Sequence, residues 1–138
     1  MLDYVFLEAH DNDRLSGIAA LYREMGWWDR AGGDDAAHVA ALVAGSHAFL
    51  AVYEDGALAG MGRALSDRTS DAYVQDLAVR PPFRGRGIGG ELAKRLVARL
   101  RADGISWIGL VAESGSRGMY ERLGFEEMPG ALPMLKKA

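Results

Sequence analysis

The sequence predicts a mixed α/β domain, and three stretches carry that prediction. Residues 73–100 read as a buried strand, a glycine-rich loop and a long amphipathic helix. Residues 48–65 read as a hairpin, with AFLAVY and ALAGMGRAL flanking the turn Glu54-Asp55-Gly56. Helical patterns lie before that hairpin and strand patterns after it, so strands and helices mix rather than strictly alternate.

Taken in order, residues 3–9 form a first strand. Asp11, Asn12 and Asp13 offer capping side chains to a helix bearing Leu15, Ile18, Leu21, Tyr22 and Met25, which Gly26 ends. Trp27, Trp28 and Asp29 follow, then the permissive pair Gly32-Gly33 and a second helix over 36–43. Beyond the hairpin, the polar loop 66–71 leads into the central strand. Pro81 and Pro82 stop it, because neither nitrogen can donate to a sheet ladder. Ile88, Leu92, Leu96 and Leu100 then recur every fourth residue, making one helical face apolar. Residues 105–111 read as a fifth strand, and Ser114 or Ser116 opens a short helix that Gly124 ends. Residues 125–128 and 132–136 read as two terminal strands around Pro129-Gly130.

Composition narrows the chemistry. A chain of 138 residues, 49% hydrophobic and 25% charged, is sized and composed as one globular domain. It has no cysteine, which excludes disulfides, thiolate metal sites and cysteine nucleophiles. A net charge of −3 argues against a general nucleic-acid binder. No apolar run approaches the roughly 20 residues that span a bilayer, and no secretory signal is visible, so a cytoplasmic protein without membrane contact is expected. His10, His38 and His47 show no metal-ligand spacing, and no metal is expected.

The loop carries the function. Gly85, Gly87, Gly89 and Gly90 let the backbone approach a ligand closely. Free N–H groups at the helix start, with Arg80, Arg84 and Arg86 nearby, suit a phosphate-bearing ligand. The same residues also spell the dinucleotide pattern G-x-G-x-x-G from Gly85 to Gly90. That fingerprint needs a tight turn directly off the first strand of a βαβ unit. Here two prolines intervene and too little strand remains downstream, so a nucleotide oxidoreductase is set aside.

Arg84-Gly85-Arg86-Gly87-Ile88-Gly89 fits (Gln/Arg)-x-x-Gly-x-(Gly/Ala), and Tyr120-Glu121-Arg122-Leu123-Gly124-Phe125 fits a second motif, tyrosine-x-x-x-glycine-phenylalanine. With these two segments the chain resembles the GNAT superfamily of N-acetyltransferases. The resemblance implies a mostly antiparallel central sheet with helices on both faces, whose parallel fourth and fifth strands splay around acetyl-coenzyme A. It assigns cofactor binding to Leu77, Ala78 and Val79 on the fourth strand and to Arg84, Gly85, Arg86, Gly87, Ile88, Gly89 and Gly90. Backbone N–H groups of the loop would hold the pyrophosphate, and a strand N–H, that of Ala78 or Val79, would polarise the thioester carbonyl.

Tyr120 matches the family tyrosine that protonates the departing thiolate. The family's strand carboxylate or histidine falls on Tyr73 or Gln75, neither a useful base. Strand alternation turns the neighbouring Asp76 to the opposite face, and Glu113 stands where an asparagine is often found. The base is left unassigned. Trp27, Trp28 and Asp29 sit in the link that overhangs the acceptor end in the resembled fold, where they can clamp an amine by cation–π contact and charge. The expectation is a direct acetyl transfer to an amine, a small metabolite ahead of a protein amine. A non-catalytic acyl-coenzyme A sensor on the same scaffold is the competing reading, and a homodimer is left open.

Overall fold

The computed structural model describes residues 1–28 and 35–138. Its elements are β1 (Leu2–Phe6), α1 (Asn12–Glu24), α2 (Asp35–Gly45), β2 (Ala48–Glu54), β3 (Ala57–Ser66), β4 (Asp71–Val79), a 3-10 turn (Pro81–Phe83), α3 (Ile88–Ala102), β5 (Trp107–Leu110) and α4 (Arg117–Arg122). The five strands form one sheet in sequence order. β1 through β4 pair antiparallel and β5 joins β4 in parallel.

Each face of the sheet has its own core. Leu15, Ile18 and Leu21 of α1, with Val39 of α2, cover Phe49, Ala51, Met61 and Ala78 on one face. The α3 stripe of Ile88, Leu92, Leu96 and Leu100 covers Leu50, Val52, Ala64 and Val74 on the other. All four stripe residues are buried, each contributing about 2 kcal/mol by leaving water. The contact is close enough to dictate a glycine. A Cβ on Gly60 would lie 2.7 Å from the Ala78 carbonyl oxygen and 3.3 Å from Leu92.

Several expectations shift. The Asp11 side chain caps no helical N–H and instead accepts from the Glu8 N–H at 2.8 Å. The fifth strand begins later than 105, because the Ile105 N–H closes the end of α3 on the Leu100 carbonyl. The two terminal strands do not form among the described residues; 125–138 is irregular, with Leu132, Met134 and Leu135 almost fully exposed. Pro133 removes a ladder donor from the middle of the second segment. Among the described residues no helix is long and apolar enough to cross a membrane.

Candidate active site

The site begins where β4 loses a neighbour. β5 pairs with β4 only from Asp71↔Trp107 to Val74↔Leu110, while β4 runs on to Val79. From Gln75 onward, one edge of β4 borders a gap instead of a strand. β4 also carries a bulge there. Arg63 pairs with Gln75 and Met61 with Ala78, so Asp76 and Leu77 together oppose Gly62. Asp76 is the left-handed residue of the bulge, with φ +59°. Aspartate tolerates that conformation better than most residues, at a cost still of about 1 kcal/mol.

The bulge changes which faces and edges are presented. Alternation would have set Asp76 opposite Gln75, but it lies on the α1–α2 face. There its Oδ2 accepts from Tyr22 Oη of α1 and from Arg63 Nε of β3, each at 2.7 Å. Beyond the bulge, the Arg80 N–H reaches back to the Ala59 carbonyl on β3. The Ala78 carbonyl also lies on the β3 side, against Gly60. Backbone groups alternate along a strand, so those of Leu77 and Val79 face the gap. The Val79 carbonyl is indeed taken from that side by Arg84 Nε at 2.9 Å. Ala78, one of the two expected carbonyl-polarising residues, is thereby turned away from the gap.

The gap opens into a cavity of about 350 Å³, lined by Val79 and Phe83, by Arg84, Gly85, Gly87, Ile88, Gly89 and Gly90, and by Met119, Arg122 and Leu123 of α4. Gly87 caps α3 in a left-handed conformation, φ +79°, with no side chain answering the first-turn N–H groups. A Cβ at Gly89 would stand 3.3 Å from Met119 Sδ, inside the space the cavity leaves. Bare donors, positive helix end and missing side chains together fit a diphosphate. The arginines divide their labour. Arg84 lines the cavity, whereas Arg86 turns away to an ion pair with Glu54 and Arg80 pairs with Glu24. Charge in the cradle therefore comes from Arg84 and from Arg122, whose place beside the loop is invisible in the sequence because it lies on α4.

Tyr120 is buried in α4, 8% exposed, its ring edge-on to Phe125 at 5.7 Å. Burial raises its phenol pKa above 10, with the nearby Glu113 charge adding to the rise. The proton therefore stays on at neutral pH. Its neighbours Met119 and Leu123, rather than Tyr120 itself, line the cavity. Glu113 is exposed in the turn before α4, and its carbonyl accepts from Ser116 Oγ at 2.6 Å.

The opposite mouth of the gap is built from side chains. Tyr73 and Gln75, both half-buried, share the α1–α2 face of β4. Trp107 of β5 lies on the same face, its indole folded over Gly109 so closely that a Cβ there would sit 2.5 Å from the ring. Gly109 pairs with Tyr73, and Trp107 is 46% exposed beside it. The sequence offered Trp107 only as a strand residue, since Gly109 as its platform appears only after pairing. Trp28 stacks on Tyr22, 4.3 Å apart and 8° from parallel, and meets the His38 ring at 4.8 Å. Trp28 is thus partly committed to the core, while Trp27 is the exposed indole at 39%. Asp29 lies outside the described residues. Among those residues no three His, Cys, Asp or Glu side chains gather as a metal site.

A cradle of bare N–H groups that opens into a gap between two parallel strands has the shape to take an elongated phosphate-bearing ligand edge-on to a strand. The acetyltransferase (GNAT) family model matches residues 19–125, and the chain belongs to that family. It is 38% identical over 92 residues to serotonin N-acetyltransferase 2, chloroplastic, of Oryza sativa subsp. japonica, covering 62% of this chain and 46% of that protein. The chain spans less than half the length of the curated relatives it matches. In structure it is similar to glucosamine-6-phosphate N-acetyltransferase from Arabidopsis thaliana, with TM-score 0.80, 17% identity and coverage of 99% and 98%. A predicted acetyltransferase with acetyl-CoA from Clostridium acetobutylicum gives TM-score 0.72 at 19% identity, covering 98% and 96%. These structural likenesses establish the fold.

Proposed function

We propose that this chain transfers the acetyl group of acetyl-coenzyme A directly to a primary amine of a small molecule. The observation that carries the reading is the continuity of the cradle at α3 with the unpaired edge of β4. One ligand can lay its diphosphate on the N–H groups of Gly87, Ile88 and Gly89 and run its arm along Val79 and Leu77. The Leu77 and Val79 N–H groups then serve as donors on the gap side, Leu77 beside the reacting carbonyl. A donor fixed before the charge develops stabilises the oxygen without reorganising.

The cavity lies on the side of α3 and α4, so the acceptor approaches from the α1–α2 side, past Tyr73, Gln75 and Trp107. The exposed indole gives an aromatic or cationic amine a surface to stack on. Tyr120, kept neutral by burial, protonates the departing thiolate. Neither Gln75 nor Asp76 receives the amine proton: Gln75 cannot, and Asp76 is committed to Arg63 and Tyr22. The neutral fraction of the amine attacks, so kcat/KM should rise with pH along the acceptor's own ionisation. The proton its nitrogen loses as the tetrahedral intermediate collapses goes to solvent water, and the Tyr120 phenolate regains one from solvent.

The test is coenzyme A thiol release from acetyl-coenzyme A against a panel of aliphatic and arylalkyl amines, with the product identified by mass. Tight acetyl-coenzyme A binding without thiol release for any amine or protein N-terminus would replace this reading with the sensor.

A further inference from the structure

Asp76 holds an unusual post. It is a non-glycine residue in a left-handed conformation in mid-strand, at the point where β4 parts from β5. A glycine would adopt that backbone without strain and without partners. This chain instead places a carboxylate there and ties it down from two other elements. Tyr22 Oη of α1 and Arg63 Nε of β3 both donate to Oδ2 at 2.7 Å, and Arg63 Nη1 reaches Ser46 Oγ, just past α2, at 3.4 Å. Oδ1 has no hydrogen bond among the described residues. The Arg63 side chain is 12% exposed and Asp76 is 23% exposed, so the pair is largely withdrawn from water. An ion pair so placed contributes little net stability and is better suited to enforcing one geometry.

The geometry it enforces is that of the next residue. Without the extra residue of the bulge, the backbone of Leu77 would turn to β3 rather than to the gap. We propose that Tyr22, Asp76 and Arg63 are positioning residues for the transfer: they pin the bulge so that the Leu77 N–H stays aimed at the thioester oxygen. This rests on the reading of acetyl transfer given above. It also ties the bulge to the segment after α1, because Trp28 backs the Tyr22 ring whose hydroxyl holds Asp76.

Three variants and one amide signal test it. Asp76→Gly keeps the bulge conformation but removes the clasp, and single-turnover transfer should fall about 30-fold, in the range a misplaced reacting group costs. Coenzyme A affinity should stay within about three-fold, since the cradle supplies it. Asp76→Asn, which tolerates the left-handed backbone and still accepts from Tyr22 and Arg63, should recover most of the rate. Tyr22→Phe, which keeps the stack on Trp28, should lose roughly five-fold, one hydrogen bond's worth. In the 15N-labelled parent the Leu77 amide should respond to exchanging coenzyme A for acetyl-coenzyme A, and in Asp76→Gly that response should shrink. If Asp76→Gly does not fold, Tyr22→Phe carries the same two readouts. Parent-level transfer with an intact Leu77 response in Asp76→Gly, or in Tyr22→Phe where it stands in, overturns the positioning role alone. So does a parent that transfers acetyl while its Leu77 amide ignores the acetyl group. A parent that binds acetyl-coenzyme A yet acetylates nothing overturns the function as well.

Discussion

The two mouths of the β4–β5 gap are made of different material. The mouth at α3, proposed for the cofactor, is mostly main chain: the end of β4, a left-handed Gly87 and the first turn of α3, nearly contiguous from Leu77 to Gly90. Side chains of Arg84 and of Met119, Arg122 and Leu123 of α4 stand around it. The opposite mouth, proposed for the acceptor, is side chain: Tyr73 and Gln75 from β4 and Trp107 from β5. Main-chain donors suit a ligand part that never changes, because they cannot be altered by substitution short of adding a side chain. A wall of side chains from separate elements can be re-cut one residue at a time without disturbing the cradle. The bulge at Asp76 is where the two materials meet.

The largest expected effect falls on the cradle. Gly87→Asp sets a negative charge against the diphosphate, and acetyl-coenzyme A affinity by calorimetry should drop on the order of 100-fold with the circular dichroism unchanged. Gly87→Asn separates charge from shape and should lose far less. Unaltered affinity in a folded Gly87→Asp would mean that the diphosphate lies elsewhere.

Tyr120→Phe comes next. It keeps the ring against Phe125 but removes the proton, so single-turnover transfer should fall by about 100-fold, the low end for a positioned acid. Cofactor affinity should hold. A parent rate in this variant would reduce Tyr120 to packing.

Trp107→Ala should raise the acceptor KM about five-fold for an arylalkyl amine, a cation–π or stacking contact of roughly 1 kcal/mol. Acetyl-coenzyme A affinity should not move. If cofactor affinity falls and acceptor KM does not, the division between the two mouths is wrong. The smallest effect is a shift in pH profile. Burial and Glu113 both raise the Tyr120 pKa, so the phenol holds its proton past 10 and the alkaline limb of the rate should lie above that value. Glu113→Gln removes the like charge, which should move the limb downward while the burial contribution keeps it above 10. The same raised pKa contributes stability below pH 10 that is lost as pH climbs through the folded value.

The contrast also explains what could be read from sequence. The cradle and the α3 stripe are local patterns, so their residues declare them: Gly87 and Gly89 by spacing, Ile88 to Leu100 by period. The bulge is a relation between Asp76 and Gly62, distant until β3 and β4 pair, and alternation alone placed Asp76 on the wrong face. Trp107 becomes a candidate only when Gly109 is seen beneath it. Arg86 counted toward the phosphate charge because Glu54, its partner, is remote in sequence. Residues 132–136 are strand-like in type, but Pro133 stands in their middle and Leu132, Met134 and Leu135 stay exposed.

The most direct measurement of the central claim is rapid-quench single turnover with acetyl-labelled coenzyme A and an arylalkyl amine. The account predicts that N-acetylated amine and free coenzyme A thiol appear together at one rate, with no acetylated protein at any time. An acetylated chain formed before product, or bound acetyl-coenzyme A that survives intact beside saturating amine, would contradict it.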